Sequence, residues 1–539
     1  MRTSRVIAIA WCIVFAIPGG YKATAQGHAT KHGTVNLQTS CNEEAQRHFD
    51  SGLALMHHMM YEQAEQEFAA AAAIAPDCGM AQWGIAMSYI HPLWGERPTD
   101  DNLQKGQAAV EQARQQKNLT DKEKAYIKAV ARFYENWGSS TYADQLKAFE
   151  QGYKQAHEAY PDEVEAAAFY ALGQLGTAPK TDKTFAKQKE AGALLEQLHA
   201  KHPDHPGLFH YIIHAYDNPL LAHKAVEVSR EYERIAPDVP HALHMPSHIF
   251  IRLGQWTDAV DWNIRSADAA LRQSSKDVVS MHYPHALDYM AYGYLQQGRD
   301  KKAQEVVDKM QAVAGYTPSF ATAYALAAIP ARHALERGKW AEAASLPIRS
   351  PQNFTWYNYP GAEAITHFAR GIGGARSGNA AVAEEAIVAL DKLRTQLSSS
   401  GDTYWAAQAE AQQMAVQAWL AYQNGDKEKG LALMREAADK EDALDKHPVT
   451  PGAVVPAREL LGDMLLLSKK PAEAMLAYEA SLQVSPKRYN SLYGAALAAE
   501  RAKDKQKAKS YYLELLETSP EADGERESWA QAKKYTARK

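Results

Sequence analysis

Seven positions recur near the two ends of this chain with identical offsets. Gly52, Leu55, Tyr61, Ala64, Phe68, Ala71 and Pro76 are spaced 3, 6, 3, 4, 3 and 5 residues apart, and Gly462, Leu465, Pro471, Ala474, Tyr478, Ser481 and Pro486 repeat those offsets. A further unit starts at Tyr489, 34 residues after position 455, and carries Ala496, Ala499, Ala508, Tyr512, Leu515 and Pro520. Steps of three and four place residues on one helix face. Within each unit a small residue lets two helices approach, an aromatic ring fills the groove between them, and proline ends the second helix. Such a chain folds as a series of like helical hairpins, so the expected class is all-α. Alanine runs such as Ala69–Ala73 favour helix for the same reason.

At these residues the chain resembles the tetratricopeptide repeat (TPR) family, whose unit is a helical hairpin. The resemblance implies a TPR-type α-solenoid, a right-handed superhelix, with regular units at about 45–78 and 455–522. Turn signals extend the register. Gly254 with Ala259, Arg299-Asp300 with Ala303, Gly338 with Ala343, Gly378 with Ala383 and Gly425 with Gly430 imply units starting near 240, 284, 324, 364 and 411. A unit near 206 precedes them and ends at Pro237. Residues 80–200 read as further hairpins in poorer register, about ten hairpins in all. Three long connections stand out: His91–Pro98, Ser350–Gly361 and Asp445–Pro456. Long ordered connections are often functional.

Arg2 and Arg5, the apolar stretch Val6–Ile17 and the small-x-small motif Ala23-Thr24-Ala25 read as a signal peptide over residues 1–25. The mature chain is then a single superhelix from about Gln26 to the end, exported to the periplasm or secreted, with no transmembrane segment. The stretches HPLWGERP, HYIIHAYD, HALHMPSHIF and HPVTPG make the mature chain similar to large exported bacterial TPR proteins. That likeness implies fold and export, not an activity. A net charge of −5 and the export signal argue against nucleic-acid binding.

Cys41 precedes the first helix of the first unit and Cys78 follows its second helix. Antiparallel helices of equal length bring those ends together, so a disulfide is expected.

Histidine carries the sharpest chemical signal. Of 21 histidines, 11 lie between His199 and His285, in central units spanning about 199–290. His210 and His214 are four apart, as are His244 and His248, and a shift of 34 maps one pair onto the other. They occupy positions five and nine of consecutive first helices, while His241 and His285 occupy position two. In the TPR family, resemblance implies that positions two, five and nine line the concave groove. An i, i+4 histidine pair is a metal-ligand spacing, and imidazole suits zinc, copper, iron and nickel. The candidate metal set is therefore His210, His214, His241, His244, His248 and His285. Asp217 is a partner or extra ligand, and His285 is expected at the edge of the cavity. The possible cofactor is a divalent transition metal such as Zn, Cu or Fe.

No glycine-rich phosphate loop, H-E-x-x-H or G-x-S-x-G motif occurs. Three functional classes stay open. One is an exported scaffold holding a peptide or protein segment in its groove. Another is a metal-dependent enzyme, oxidoreductase or hydrolase, acting on a small-molecule substrate. The third is a metal carrier or sensor.

Overall fold

From Glu43 to Thr536 the described chain is a run of helices paired into hairpins. A computed structural model describes residues 32–94, 97–523 and 526–537. The expected signal peptide over 1–25 and the mature start near Gln26 lie outside the described residues. Among the described residues there is no sheet, only an isolated bridge between Val279 and Tyr316. The architecture is a TPR-type α-solenoid.

The repeated offsets correspond to a repeated packing device. Phe68, in the helix Tyr61–Ile74, sits between Gly52 of its own hairpin and Gly84 of the next helix. A Cβ on either glycine would meet the Phe68 ring, at 2.9 and 2.3 Å. Tyr478 does the same between Gly462 and Gly494, at 2.6 and 2.3 Å. The aromatic ring thus fills space that only absent side chains leave open, and the helices on both sides are drawn onto it.

The first hairpin pairs helices of 15 and 14 residues, Glu43–His57 and Tyr61–Ile74. Cys41 and Cys78 at its open end are joined in a disulfide, with Cα atoms 4.9 Å apart. Residues 79–199 fold into three hairpins: Gly79–Ser88 with Asp100–Arg114, Asp121–Tyr134 with Tyr142–Ala159, and Val164–Gly176 with Ala186–His199. The described residues therefore hold twelve hairpins rather than about ten, because these three lack the regular offsets that mark the others. The units expected near 324, 364 and 411 start earlier, at Phe320, Pro360 and Thr403. Their first helices run to 17, 18 and 21 residues, so extra N-terminal turns precede the residues that set the register.

The superhelix curls onto itself. Trp256 Nε1 donates to the Lys487 carbonyl at 3.0 Å, Tyr489 N to Gln296 Oε1 at 3.0 Å, and Arg488 Nη2 to Glu336 Oε1 at 2.6 Å. The connection Asp445–Pro456 runs back over hairpins far earlier in the chain. Asp445 N donates to the Lys180 carbonyl at 3.1 Å, and Arg332 donates to the carbonyls of Gly452 and Ala453. The groove over the histidine-bearing units is therefore roofed by the chain itself.

Candidate metal centre

Three neighbouring inner helices carry the histidines. His210 and His214 lie on Pro206–Tyr216, and His282 and His285 on His282–Gln296. Between them, His241 and His244 lie on Pro240–His244, and His248 on Pro246–Arg252. Pro246 has no N–H to continue the ladder, so the middle helix is broken there without losing its direction. The helical spacing turns all these rings inward. His210, His244 and His248 are at most 1% exposed.

The rings form one continuous cluster. Centroids are 4.9 Å apart for His210–His214, 5.0 Å for His210–His241, 5.6 Å for His214–His248 and 4.9 Å for His244–His248. His244 and His285 are 4.2 Å apart, so His285 joins the cluster through His244. Met281, Phe320 and Ala321 line the cavity beside it together with Pro448 and Val449 of the roof connection. Two triads emerge, His210–His214–His241 and His244–His248–His285, with one nitrogen from each member within 4.8 Å of the others in its triad.

Outer groups fix the ring orientations. His210 Nδ1 donates to the His57 carbonyl at 2.6 Å. His244 Nδ1 donates to Asn263 Oδ1 at 2.7 Å, and Asn263 Nδ2 is itself committed to the Ala259 carbonyl. His248 Nδ1 donates to Asp217 Oδ2 at 3.0 Å. In each ring the proton is therefore on Nδ1 and the Nε2 lone pair is left facing the cluster. His244 Nε2 and His248 Nε2 stand 3.0 Å apart, two lone pairs directed at each other. His210 Nε2, His214 Nε2, both nitrogens of His241 and His282 Nδ1 are buried without a hydrogen-bond partner among the described residues.

Asp217 anchors the outer shell. It accepts from Arg252 Nε at 2.8 Å and Lys446 Nζ at 2.6 Å as well as from His248. Burial would raise its carboxyl, but the Lys446 ammonium and the Arg252 guanidinium hold it well below the ordinary value. Asp217 thus orients His248 and is not itself one of the facing donors. Burial pushes Lys446 down to about 8. Burial also pushes His210 down to about 3 and His282 to about 4. His214, His241, His244 and His285 are held well below the ordinary value, by burial first and then by one another. These imidazoles are neutral at physiological pH, the form that binds a metal.

A cavity of about 20 Å³ touches both triads. His214, His241, His248 and His285 line it beneath Trp94 and Val449. Trp94 comes from the connection His91–Pro98 and Val449 from Asp445–Pro456, two of the long connections singled out in the sequence. The third, Ser350–Gly361, lies elsewhere and shapes an apolar pocket with Met310, Tyr316 and Ile329.

Sequence reasoning missed a second buried group. His57 Nε2 lies 2.6 Å from Glu165 Oε2, and His205 Nε2 lies 2.9 Å from Glu165 Oε1. These residues come from three separate hairpins and share no spacing. Asn263, Lys446 and Arg252 were also not singled out. The one available hint was the position of Lys446 in the stretch before HPVTPG.

No family model matches the chain, and no curated protein matches it. Among solved structures, the chain is similar to the APC/C hetero-tetramer Cut9–Hcn1, with 11% identity over 92% of this chain and 97% of that one and a TM-score of 0.28. It is similar to yeast Tom70 with 12% identity over 92% and 96%, TM-score 0.28. For the TPR domain of P58(IPK) the values are 11% over 91% and 98%, TM-score 0.20. Such distant likenesses carry nothing about chemistry or partners. The chain's own hairpins and packing identify it as a TPR-type solenoid, with a roofed histidine cluster where such a fold has an open groove.

Proposed function

We propose that this chain is a metal-dependent protein, best read as an enzyme, in which His244, His248 and His285 hold a transition-metal ion. The observation that carries the reading is the pair of Nε2 lone pairs 3.0 Å apart at His244 and His248, each ring locked by an outer acceptor on Nδ1. Two facing lone pairs repel unless a proton or a cation lies between them. An outer carboxylate or carbonyl on the far nitrogen is the arrangement that metal-ligating histidines adopt. Three neutral imidazoles leave a position open, as catalytic sites do and structural sites do not. A cavity lined by His248 and His285 adjoins the triad and has room for about one water, and the roofed groove there supports a bound ion over peptide capture. The donor set suits zinc, copper or iron. The N-terminal pattern and the disulfide support an exported protein.

The test is elemental analysis of the untagged protein, then titration of the chelator-stripped chain with Zn(II), Cu(II) and Fe(II). Wild type should retain metal through gel filtration. His244→Ala/His248→Ala should lose the ion held by this triad while its helical circular dichroism is unchanged. A wild-type chain that binds none of the three metals would sink the reading.

A further inference from the structure

The second triad repeats the construction of the first. His244 and His248 take positions five and nine of their hairpin, and His285 is position two of the next. One repeat earlier, His210 and His214 take positions five and nine, and His241 is position two of the hairpin that follows. The whole three-residue set has been shifted by one unit, not the i, i+4 pair alone. The outer support is repeated as well. Each position-five ring gives its Nδ1 proton to an oxygen, His57 O for His210 and Asn263 Oδ1 for His244.

The series stops at two. One unit further on, positions five and nine are Asp288 and Tyr292, and Asp288 faces the Arg332 guanidinium at 3.4 Å. One step back, position two is Gly207, and a Cβ there would meet the His57 ring at 2.5 Å. The His57 side chain occupies the place that a third imidazole would need.

Six imidazoles exceed what one ion of the zinc or copper class takes up. The His210 triad also carries four of the five unpartnered nitrogens of this cluster: His210 Nε2, His214 Nε2 and both nitrogens of His241. These nitrogens are buried, and leaving them without a partner is unfavourable unless something binds them. The two triads meet at one cavity, to which His214 and His241 contribute from one side and His248 and His285 from the other.

We propose that the cluster is a two-metal centre: one divalent transition ion in each triad, both with their open positions on the shared cavity. This rests on the metal reading of the His244 triad and adds a second, equivalent site. The donors are all neutral imidazole nitrogens, so the ions are of the copper or zinc class rather than hard cations such as magnesium or calcium.

The test uses the full chain, stripped with chelator and titrated with Cu(II) and, separately, Zn(II), followed by metal analysis after gel filtration. Wild type should bind two ions per chain. His210→Ala/His214→Ala should bind one, and His244→Ala/His248→Ala should bind one. In the copper-loaded wild type the paired spins should couple and depress or split the electron paramagnetic resonance signal. Each double variant should give the signal of an isolated Cu(II). Should a double variant fail to fold, His214→Asn removes a ligand whose Nε2 makes no internal hydrogen bond, and it should lower the stoichiometry from two towards one. One ion per wild-type chain, lost in either double variant, would overturn the paired centre and leave a single shared site. No ion at all would instead remove the metal reading on which the pair rests.

Discussion

The histidine-bearing units and the regular C-terminal unit use the same two inner positions in opposite ways. Positions five and nine are His210 and His214, then His244 and His248, in the former. In the unit starting at 455 they are Glu459 and Asp463. Each of those carboxylates has a partner from within the chain. Glu459 accepts from Arg488 Nε at 3.1 Å and from Ser491, and Asp463 accepts from Arg376 Nη1 at 2.6 Å and from Tyr478. Where the C-terminal groove is polar, it is closed by its own ion pairs. Where the central groove is polar, His210 Nε2, His214 Nε2 and both His241 nitrogens are buried without a partner among the described residues, and His248 Nε2 has only the Tyr289 hydroxyl at 3.4 Å and His244 Nε2 beside it. The same architectural slot is thus complete in one region and incomplete in the other, and a cluster of buried groups left incomplete calls for an explanation.

The sharpest way to break this comparison is to remove the partner that completes the C-terminal region. Arg488 is fully buried and binds Glu336 and Glu459 at once. Arg488→Met leaves both carboxylates buried without their cation. A loss of about 3–5 kcal/mol is expected, read as a lower urea midpoint of the metal-free chain. The metal-free His244→Ala/His248→Ala variant also leaves a cavity and loses the bonds to Asn263 and Asp217, but it strands no charge, because Asp217 keeps Arg252 and Lys446, so its loss should be the smaller. Equal losses would mean that the imidazoles are as structural as the arginine.

A smaller effect should appear with pH. His210 and His282 sit at about 3 and about 4 in the folded chain against an ordinary 6.5. The unfolded chain therefore takes up protons first as the pH falls. The stability associated with their neutrality is fully present above about 6.5 and is lost from there down towards the folded values. Each such imidazole contributes a slope of about 1.4 kcal/mol per pH unit within that window. Urea midpoints of the metal-free protein measured from pH 7 to pH 5 should fall steeply. His210→Ala should flatten the curve, and an unchanged slope would show that its ring is not held neutral by burial.

The fold was legible because its packing device is local. Gly52, Phe68 and Gly84, like Gly462, Tyr478 and Gly494, must keep fixed offsets for one ring to serve two helices, and offsets survive in a sequence. The histidine triads were legible for a related reason: position in the repeat decides which side chain faces inward. The orienting shell was not. Lys446 reaches Asp217 across 229 residues, and Arg488 reaches Glu336 across 152, through a curl of the superhelix that no single unit encodes. His57, Glu165 and His205 likewise meet only because three hairpins converge. Asp217 drew notice by its place after His214, yet its role depends on Arg252 and Lys446. Those two turn a possible ligand into a fixed acceptor for His248.

The finest test concerns one such orienting residue. Asn263 belongs to the helix Trp256–Gln273, outside the histidine-bearing helices, and it bonds to the cluster through His244 Nδ1 at 2.7 Å. Asn263→Leu keeps the volume near constant and removes the acceptor, so His244 is free to change tautomer and turn. The expected cost to the metal-free fold is about 1 kcal/mol. The expected cost to metal affinity is about 10- to 100-fold, confined to the ion of the His244 triad. Asn263→Asp should restore affinity, because a carboxylate accepts the same proton. Competition titration against a chelator of known strength separates these outcomes. If Asn263→Leu weakens stability but leaves metal affinity intact, Asn263 is a packing residue and the Nδ1 bond plays no part in presenting His244 to a metal.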